Sequence, residues 1–257
     1  MQKKHEDWVY EWSKFKDSTQ FLFQEWIYPH TLNDFQDKRV LDAGCGPGHH
    51  VRLVAPFARE VVGMDLNTGP IAREELKQFP NVTVWDEDLA RAKSDRPFDM
   101  VYCVGVIPHT DNPDQSFENL KNLTRKGGIL IIWACSFEGN FLNRTLVEWL
   151  KRKFILKLPK QILFYLAAAT TLLLYPFVWT IYLLPFLKML PFYEYFGNFR
   201  KLTFKRNMQN VFDRLNAPQT IFITKQQMER WFNNQDFDQV HVSSYKGISW
   251  RGSGIKK

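Results

Sequence analysis

A regular alternation of short apolar runs with helical segments between residues 39 and 134 is the feature that most constrains this chain. Short runs rich in β-branched residues are typical of strands that are buried on both faces of a parallel sheet. The predicted strands are Arg39–Ala43, Glu60–Asp65, Val82–Trp85, Met100–Val104 and Ile129–Ala134. The predicted helices between them are Val51–Ala58, Ile71–Phe79 and Phe117–Leu123, the last followed by a turn at Lys126-Gly127-Gly128. This order predicts an α/β fold with a doubly wound sheet.

Two further strands and a helix are predicted near the C-terminus. Thr224 and Gln227 have the spacing of a capping box that opens a helix through Phe232. Strands are expected at Val240–Tyr245 and Ile248–Gly254, which brings the predicted sheet to seven mostly parallel strands. The chain then divides into an aromatic-rich helical cap (1–37), a core (38–137), a helical insertion or lid (138–218) and a C-terminal helix with a strand pair (219–257).

Three glycines, Gly44, Gly46 and Gly48, follow the first predicted strand. Glycine is needed where the backbone turns tightly and approaches a ligand, because a Cβ would collide with it. Asp42 precedes these glycines, where a carboxylate can help to hold a cationic amino-acid group. Asp65 ends the second strand, where an acid accepts ribose hydroxyls in dinucleotide-binding folds. The Gly-x-Gly-x-Gly spacing differs from the Gly-x-Gly-x-x-Gly of nicotinamide enzymes, so a nicotinamide oxidoreductase is a rival hypothesis only.

The stretch Val40–Gly48 resembles the first motif of class I S-adenosylmethionine (SAM)-dependent methyltransferases. Asp65 falls where the ribose-binding acid of that family lies. Glu87-Asp88-Leu89 resembles the element in which an aspartate contacts the adenine amino group, but the family usually has glycine in place of Glu87, and Asp86 is an alternative. Phe98–His109 resembles the fourth motif, whose strand end lies beside the reactive methyl group.

The resemblance implies a Rossmann-like methyltransferase fold, SAM as the cofactor and methyl transfer as the activity. No metal site is expected. The cofactor-binding residues that it implies are Asp42, Gly44, Gly46, Gly48, Asp65, Leu66, Asp88, Leu89, Val104 and Gly105.

Two residues are candidates for catalysis. His109 follows the fourth strand at the edge where ligands bind in open α/β sheets, so it is the best candidate for a general base. A base is required only if the acceptor atom carries a proton at neutral pH, and a histidine that packs or caps the loop is the alternative. Tyr10, together with Trp12, is expected to cap SAM or the acceptor, with core packing as the alternative.

The insertion after the fifth strand contains an uncharged apolar stretch, Gln161 to Leu187, which is long enough to cross a membrane. Pro176 and Pro185 lie within it and basic residues flank both ends, so three hypotheses stay open: a span, an interfacial patch on an anionic membrane through residues 151–206, and a lid or dimer interface. Residues 210–218, which include Asp213 and Arg214, resemble a segment of methyltransferases associated with polysaccharide or lipid-linked glycan synthesis.

Composition limits the partners and the compartment. The formal net charge of +7 is concentrated in the insertion, and we find no nucleic-acid-binding motif, so no nucleic acid partner is expected. Three unpaired cysteines, and no apolar signal segment between Met1 and Lys16, predict a reducing, cytoplasmic location, with peripheral membrane association left open.

The sequence thus predicts a methyltransferase for an O or N atom of an amphipathic, lipidic or glycan-type small molecule, including a lipid-linked acceptor. A soluble enzyme for a phenolic compound or a sugar nucleotide, with the insertion as its lid, is one alternative. A non-catalytic SAM-binding module is another, and a homodimer is left open.

Overall fold

The computed structural model describes residues 10, 11, 14 and 19–257. The strands are β1 Arg39–Ala43, β2 Glu60–Met64, β3 Val82–Trp85, β4 Phe98–Val104, β5 Thr124–Cys135, β6 Phe237–Tyr245 and β7 Ser249–Lys256. They form one sheet in the order β3-β2-β1-β4-β5-β7-β6, in which β7 is antiparallel to both neighbours and the other pairs are parallel. The predicted seven-stranded, mostly parallel α/β fold is therefore confirmed.

Nine α-helices are found in the described residues from Thr19 onwards. They are α1 Gln20–Ile27, α2 His49–Val54, α3 Gly69–Leu76, α4 Pro113–Leu123, α5 Glu148–Lys153, α6 Lys160–Val178, α7 Tyr193–Phe199, α8 Phe204–Asn216 and α9 Lys225–Trp231. Helix α4 begins at Pro113, four residues before the predicted start, because Asn112 caps it by accepting the Gln115 N–H at 3.1 Å.

Apolar side chains cover both faces of the sheet, as the unbroken apolar strands require. Leu41 and Val101 face one side, where they pack with Phe117 of α4 and residues of α9. Val40 and Met100 face the other side, where they pack with residues of α1, α2 and α3. This alternation along β1 and β4 fixes the register of the two strands. Because they pair in parallel, their carboxyl ends lie at the same edge of the sheet.

The insertion between β5 and α9 forms a helical layer built from α5 to α8. Helix α6 packs on α8 through Leu163, Ala167, Met208 and Phe212. After α8 the chain returns to the sheet, where Ile223 donates its N–H to the Cys135 carbonyl at 2.9 Å. The C-terminus of α8 is thereby held over the ends of β4 and β5. The predicted helical insertion after the fifth strand is present, and the sheet resumes at its far side with the strand pair.

Helix α1 is fixed over the carboxyl edge of the sheet by polar contacts. The Glu25 carboxylate accepts hydrogen bonds from the Tyr245 hydroxyl at 2.5 Å and from the Asn198 amide at 3.1 Å. Arg251 donates to the Glu25 carbonyl at 2.9 Å. The end of the N-terminal segment is therefore tied both to β6 and β7 and to the insertion.

Candidate active site

The glycine-rich turn after β1 has the backbone geometry of a ligand cradle. Gly44, Gly46 and Gly48 all have positive φ angles, of 89°, 54° and 89°. A Cβ on Gly44 would lie 2.3 Å from Cγ2 of Val106, and a Cβ on Gly48 would lie 2.5 Å from Cδ1 of Leu76. Only glycine fits at Gly44 and Gly48, because both the positive φ angle and the neighbouring side chains oppose a Cβ atom.

Asp42 brings a buried carboxyl group to the start of this turn. Its side chain is buried, and its Oδ2 atom has no hydrogen-bond partner. Burial raises the pKa of Asp42 to about 8; the Tyr102 hydroxyl opposes the rise and the nearby Asp65 carboxylate adds to it. A buried carboxyl oxygen without a hydrogen-bond partner is costly, so a cationic amino group is the kind of ligand that this position fits.

Asp65 organises the cradle from the end of β2. Its Oδ2 accepts the Gly46 N–H at 3.1 Å, and its Oδ1 accepts the N–H groups of Asn67 and Thr68 at 2.8 and 3.1 Å. A carboxylate has about four lone pairs, so these three bonds leave room for about one more donor. Beside it, the apolar Leu66 side chain is 51% exposed, which suits a residue that is covered by a flat ligand ring.

The acids after β3 are arranged differently from one another. Asp88 is half-buried and uses Oδ1 to accept the Ala90 N–H at 2.9 Å. Asp86 is exposed and forms an ion pair with Arg73, so Asp88 is the better candidate to contact a cofactor. The Leu89 side chain lies in the core and its carbonyl accepts the Asn119 amide, so only its backbone N–H can take part.

Val104 and Gly105 end β4 at the same edge of the sheet. Gly105 has a φ of 77° and donates its N–H to the Trp133 carbonyl at 2.9 Å. A Cβ on Gly105 would lie 3.3 Å from the Trp133 ring. The chain therefore passes close to an aromatic surface where β4 ends.

His109 lies in a short 3-10 turn, Ile107–His109, directly after β4. Its Nδ1 atom is 2.8 Å from the Gln219 carbonyl oxygen. A carbonyl can only accept, so Nδ1 carries the proton and Nε2 is the basic ring nitrogen. The side chain is thus held in the tautomer that a general base needs.

Aromatic rings of α1 form one wall of the site, which the sequence analysis did not identify. His50, directly after the glycines, stacks on Phe23 with ring centroids 4.7 Å apart. Trp26 packs edge-on against His50, with ring centroids 5.8 Å apart, and lies tilted against Trp133 at 5.0 Å. Burial, with His49 and Arg206 nearby, lowers the pKa of His50 to about 3, so this ring is neutral at physiological pH. The signal in the sequence was the density of aromatic residues before Tyr28.

Tyr10 lies against the insertion and not over the glycine turn. Its ring packs with Phe212 of α8 at 6.1 Å, in the cluster that joins α6 to α8. Burial and the nearby Tyr165 raise the pKa of its hydroxyl. Its geometry matches the packing alternative, and a catalytic role stays a prediction. Trp12 lies outside the described residues.

Helix α8 carries buried polar residues on the side that faces away from α6. From Arg206 to Asn216 every residue of the helix is at least partly buried. Met208, Val211, Phe212 and Leu215 face α6, so the opposite side carries the polar residues. Asn216 donates to the buried Glu11 carboxylate at 3.1 Å, and burial together with nearby Asp213 raises the pKa of Glu11 well above its ordinary value.

Three polar side chains on this helix form no hydrogen bond or ion pair with the described part of the chain. Among the residues that the structure describes, the Gln209 amide, the Asp213 carboxylate and the Arg214 guanidinium make no hydrogen bond or ion pair, and the Gln209 Oε1 atom is buried. The sequence leaves open whether Asp213 and Arg214 touch the acceptor or pair with each other, and it gives no signal for Gln209. In the same described part of the chain the thiols of Cys45, Cys103 and Cys135 are free, and no cluster of side chains that could hold a metal is found.

Residues 41–132 match the family model described as a methyltransferase domain. This match covers the cradle, both cofactor acids and the end of β4. Residues 41–132 are a class I SAM-dependent methyltransferase domain. The predicted family, the SAM cofactor and the enzyme class are confirmed for this domain. The residues of the cradle also fit SAM chemically, since the buried Asp42 carboxyl group suits a cationic amino group and the Asp65 carboxylate has room for about one more donor.

Curated proteins similar to this chain share only part of it. A tRNA U34 carboxymethyltransferase of Actinobacillus succinogenes is 32% identical over 120 residues, which are 44% of this chain and 37% of the relative. The protein of the same name from Histophilus somni is 33% identical over 129 residues, or 48% of this chain and 40% of the relative. The chain thus spans about two fifths of the length of the curated relatives that it matches.

Among solved structures, an O-methyltransferase family protein from Burkholderia thailandensis covers 93% of this chain and 56% of its own, with a TM-score of 0.55 and 10% identity. At that identity the likeness concerns the fold alone.

The relatives correct one expectation. We expected no nucleic acid partner because no binding motif was found, and proteins named for a tRNA substrate overturn that expectation. The absence of a short motif was a poor guide because recognition of RNA depends largely on shape and on single-stranded segments.

Proposed function

We propose that this protein transfers a methyl group from SAM to an O or N atom of an amphipathic, glycan-type or lipid-linked acceptor that is presented at a membrane surface. The methyltransferase domain supplies the cofactor site, with Asp42, Asp65 and the glycine turn as its main parts. The observation that carries the acceptor class is the polar side of α8, which is enclosed and yet only partly paired.

The acceptor is expected to lie between α8 and the ends of β4 and β5. The loop after α8 contacts both strand ends, through Gln219 at His109 and through Ile223 at Cys135. Gln209, Asp213 and Arg214 together provide an amide, a carboxylate and a guanidinium. Such a mixture of donors and acceptors suits a hydroxyl-rich group better than an apolar one, because each enclosed polar side chain needs a partner.

The chemistry requires alignment and the removal of a proton. SAM supplies an electrophilic methyl carbon on a sulfonium sulfur. The acceptor lone pair forms the new bond to this carbon while the carbon–sulfur bond breaks, and its electron pair stays on sulfur. Where the acceptor is a hydroxyl, Nε2 of His109 takes the proton, in keeping with the fixed tautomer. Alignment of this kind contributes roughly 7–11 kcal/mol to lowering the barrier.

A second candidate acceptor is RNA, which the names of the curated relatives favour. The two candidates place different demands on the same chain. An RNA acceptor needs an accessible basic surface, whereas a lipid-linked or amphipathic acceptor needs an apolar one next to the site. The insertion offers many exposed apolar side chains, which is why we favour the membrane-presented acceptor, with the protein on the cytoplasmic side as a peripheral enzyme.

Transfer of a labelled methyl group from SAM to separate acceptor pools tests this proposal. The pools are a solvent extract of membrane lipids, a water-soluble fraction of sugar nucleotides and phenolic compounds, and bulk tRNA. Label in the lipid extract, lost in the Gly44→Ala variant and kept in Gly197→Ala, is the expected result. Label in tRNA or in the water-soluble fraction would overturn the acceptor class and leave the enzyme class intact. A protein that binds SAM and labels no pool would favour the non-catalytic module.

A further inference from the structure

Helix α6 is apolar on two opposite sides, and within the described residues only one of these sides packs on another helix. Its inner side packs on α8 through Leu163 and Ala167, which are fully buried. The outer side is formed by residues that recur every three or four positions: Ile162, Tyr165, Leu166, Leu172, Leu173 and Phe177, whose exposed fractions range from 36% to 72%. Helix α6 is long and apolar enough to cross a membrane, but only 22% of its most apolar 18-residue stretch is buried. A core helix of the same composition would be mostly buried.

The exposed apolar surface continues in the chain that follows α6. Trp179, Leu183, Phe186 and Met189 are 50%, 47%, 75% and 86% exposed. Soluble monomeric proteins rarely expose so many large apolar residues together, and such a surface marks an interaction site. We call the outer side of α6 and residues 179–189 the apolar platform.

Basic residues border this platform and identify the kind of partner. Lys153 and Lys157 lie before α6, and Lys188 lies at the end of the platform; all three are exposed. Between Lys160 and Lys188 the chain has no acidic side chain. Apolar and aromatic residues bordered by lysines match the layered chemistry of a bilayer with anionic headgroups.

The contacts of α6 argue against a span. A spanning helix would have to leave α8, whose Met208 and Phe212 would then lose their apolar partners. If α6 instead kept this contact, it would draw α8, with Asp213 and Arg214, toward the hydrocarbon. A helix that keeps its inner side on α8 can offer only its outer side, so it must lie along the surface.

We infer that the apolar platform docks the protein on an anionic lipid bilayer, with α6 parallel to the membrane plane and its outer side within the interface. The inference deepens the proposed function and rests on it for the origin of the acceptor. Helix α8 joins the platform to the active site, because one side packs on α6 and the loop that follows it contacts the ends of β4 and β5. Docking would thus bring an acceptor in the membrane within reach of the polar side of α8.

Flotation with lipid vesicles tests the inference on the full chain. The vesicles are pure phosphatidylcholine, and a mixture containing phosphatidylglycerol, each at low and high salt. The wild-type protein is expected to float with the anionic vesicles and at least tenfold less with the neutral ones. Leu172→Gln/Leu173→Gln is expected to abolish flotation at both salt concentrations. Lys157→Gln/Lys188→Gln is expected to weaken it at low salt, whereas Lys77→Gln/Lys126→Gln, on exposed lysines outside the platform, is expected to have no effect.

Each other occupant gives a distinct result that would overturn the inference. Resistance to alkaline carbonate extraction would indicate a span. A dimer in light scattering that the leucine variant converts to a monomer, with no flotation, would indicate a second copy of the chain. Binding of tRNA that competes with vesicles and depends on Lys157 and Lys188 would indicate an RNA surface. Calorimetry with S-adenosylhomocysteine on the same samples separates the two claims. Wild-type protein that binds the cofactor product but does not float contradicts the platform alone, whereas the leucine variant is expected to bind it without floating.

Discussion

The Nδ1 atom of His109 lies 2.8 Å from the carbonyl oxygen of Gln219. This contact joins the turn after β4 to the chain that leaves α8. The Gln219 side chain adds a second bond between the same two segments, in which its amide donates to the Thr110 carbonyl at 3.0 Å. The proposed base and the proposed acceptor-binding helix are therefore positioned by the same loop.

Replacement of His109 by Gln is expected to lower kcat with a hydroxyl acceptor by about 10²–10⁴-fold, because the proton then has no positioned acceptor. Binding of S-adenosylhomocysteine should stay within about twofold of wild type, since the ring faces the acceptor side. Rates of methyl transfer to the lipid extract and calorimetry provide the two values. An unchanged kcat would assign His109 to packing alone.

Asp42→Asn is expected to stabilise the cofactor-free protein and to weaken cofactor binding. The folded-state pKa of Asp42, about 8, lies above the ordinary value of 3.8, so its contribution to stability is complete below about pH 4 and is lost as the pH rises toward 8. At pH 8 the free energy of unfolding of the variant should therefore exceed that of wild type by on the order of 5 kcal/mol. This difference should become smaller as the pH falls toward 4.

Chemical denaturation of both proteins at pH 5 and pH 8 measures this difference. Asp99→Asn is the opposite control: burial alone would raise the pKa of Asp99, but the Arg39 N–H and Arg125 outweigh it and lower the pKa. That variant should be less stable than wild type at pH 8. If the difference in free energy of unfolding between Asp42→Asn and wild type did not change with pH, the assignment of a buried, mostly protonated carboxyl group would be wrong.

Gly44→Ala and Gly197→Ala form a matched pair. At Gly44 the φ of 89° and the close Val106 side chain both oppose a Cβ, so we expect a loss of about 1–2 kcal/mol in stability and of detectable cofactor binding. At Gly197, inside α7, the nearest atom to a new Cβ is 3.9 Å away, so alanine should add about 0.5–1 kcal/mol. Thermal unfolding measures the stability of the two variants, and calorimetry measures their cofactor binding. Normal cofactor binding by Gly44→Ala would contradict the claim that the cofactor approaches the backbone closely at this turn.

Arg214→Gln is expected to raise the KM for the acceptor by about 10–150-fold, the range of a lost hydrogen bond to a charged group. Lys205→Gln, at the exposed start of the same helix, should leave KM unchanged. Initial rates against the concentration of the active acceptor pool give both values. Equal effects of the two variants would remove α8 from the acceptor site.

The order of the strands was predictable because each parallel strand is a separate apolar run bounded by glycine or by charges. The predicted bounds of β1 and β3 agree with the structure. The start of α4 was missed because Phe117 was the first apolar residue in the helical pattern, whereas the Asn112 cap sets the true start.

The cofactor side of the site was predictable because its residues are local to single turns. The acceptor side was not, because it depends on tertiary contacts. Gln209 has no unusual neighbours in sequence, and only the packing of α6 on the far side of α8 turns it inward. Which side of α6 stays exposed could not be predicted for the same reason, since the helix is apolar all round.

Calorimetric titration of the folded protein with S-adenosylhomocysteine tests the central claim most directly. We predict saturable binding at one site per chain, lost in Asp65→Ala and Gly44→Ala and retained in Gly197→Ala. Absence of heat with well-folded wild-type protein, or unchanged binding by Asp65→Ala, would contradict the assignment of the glycine turn and its acids as the cofactor site.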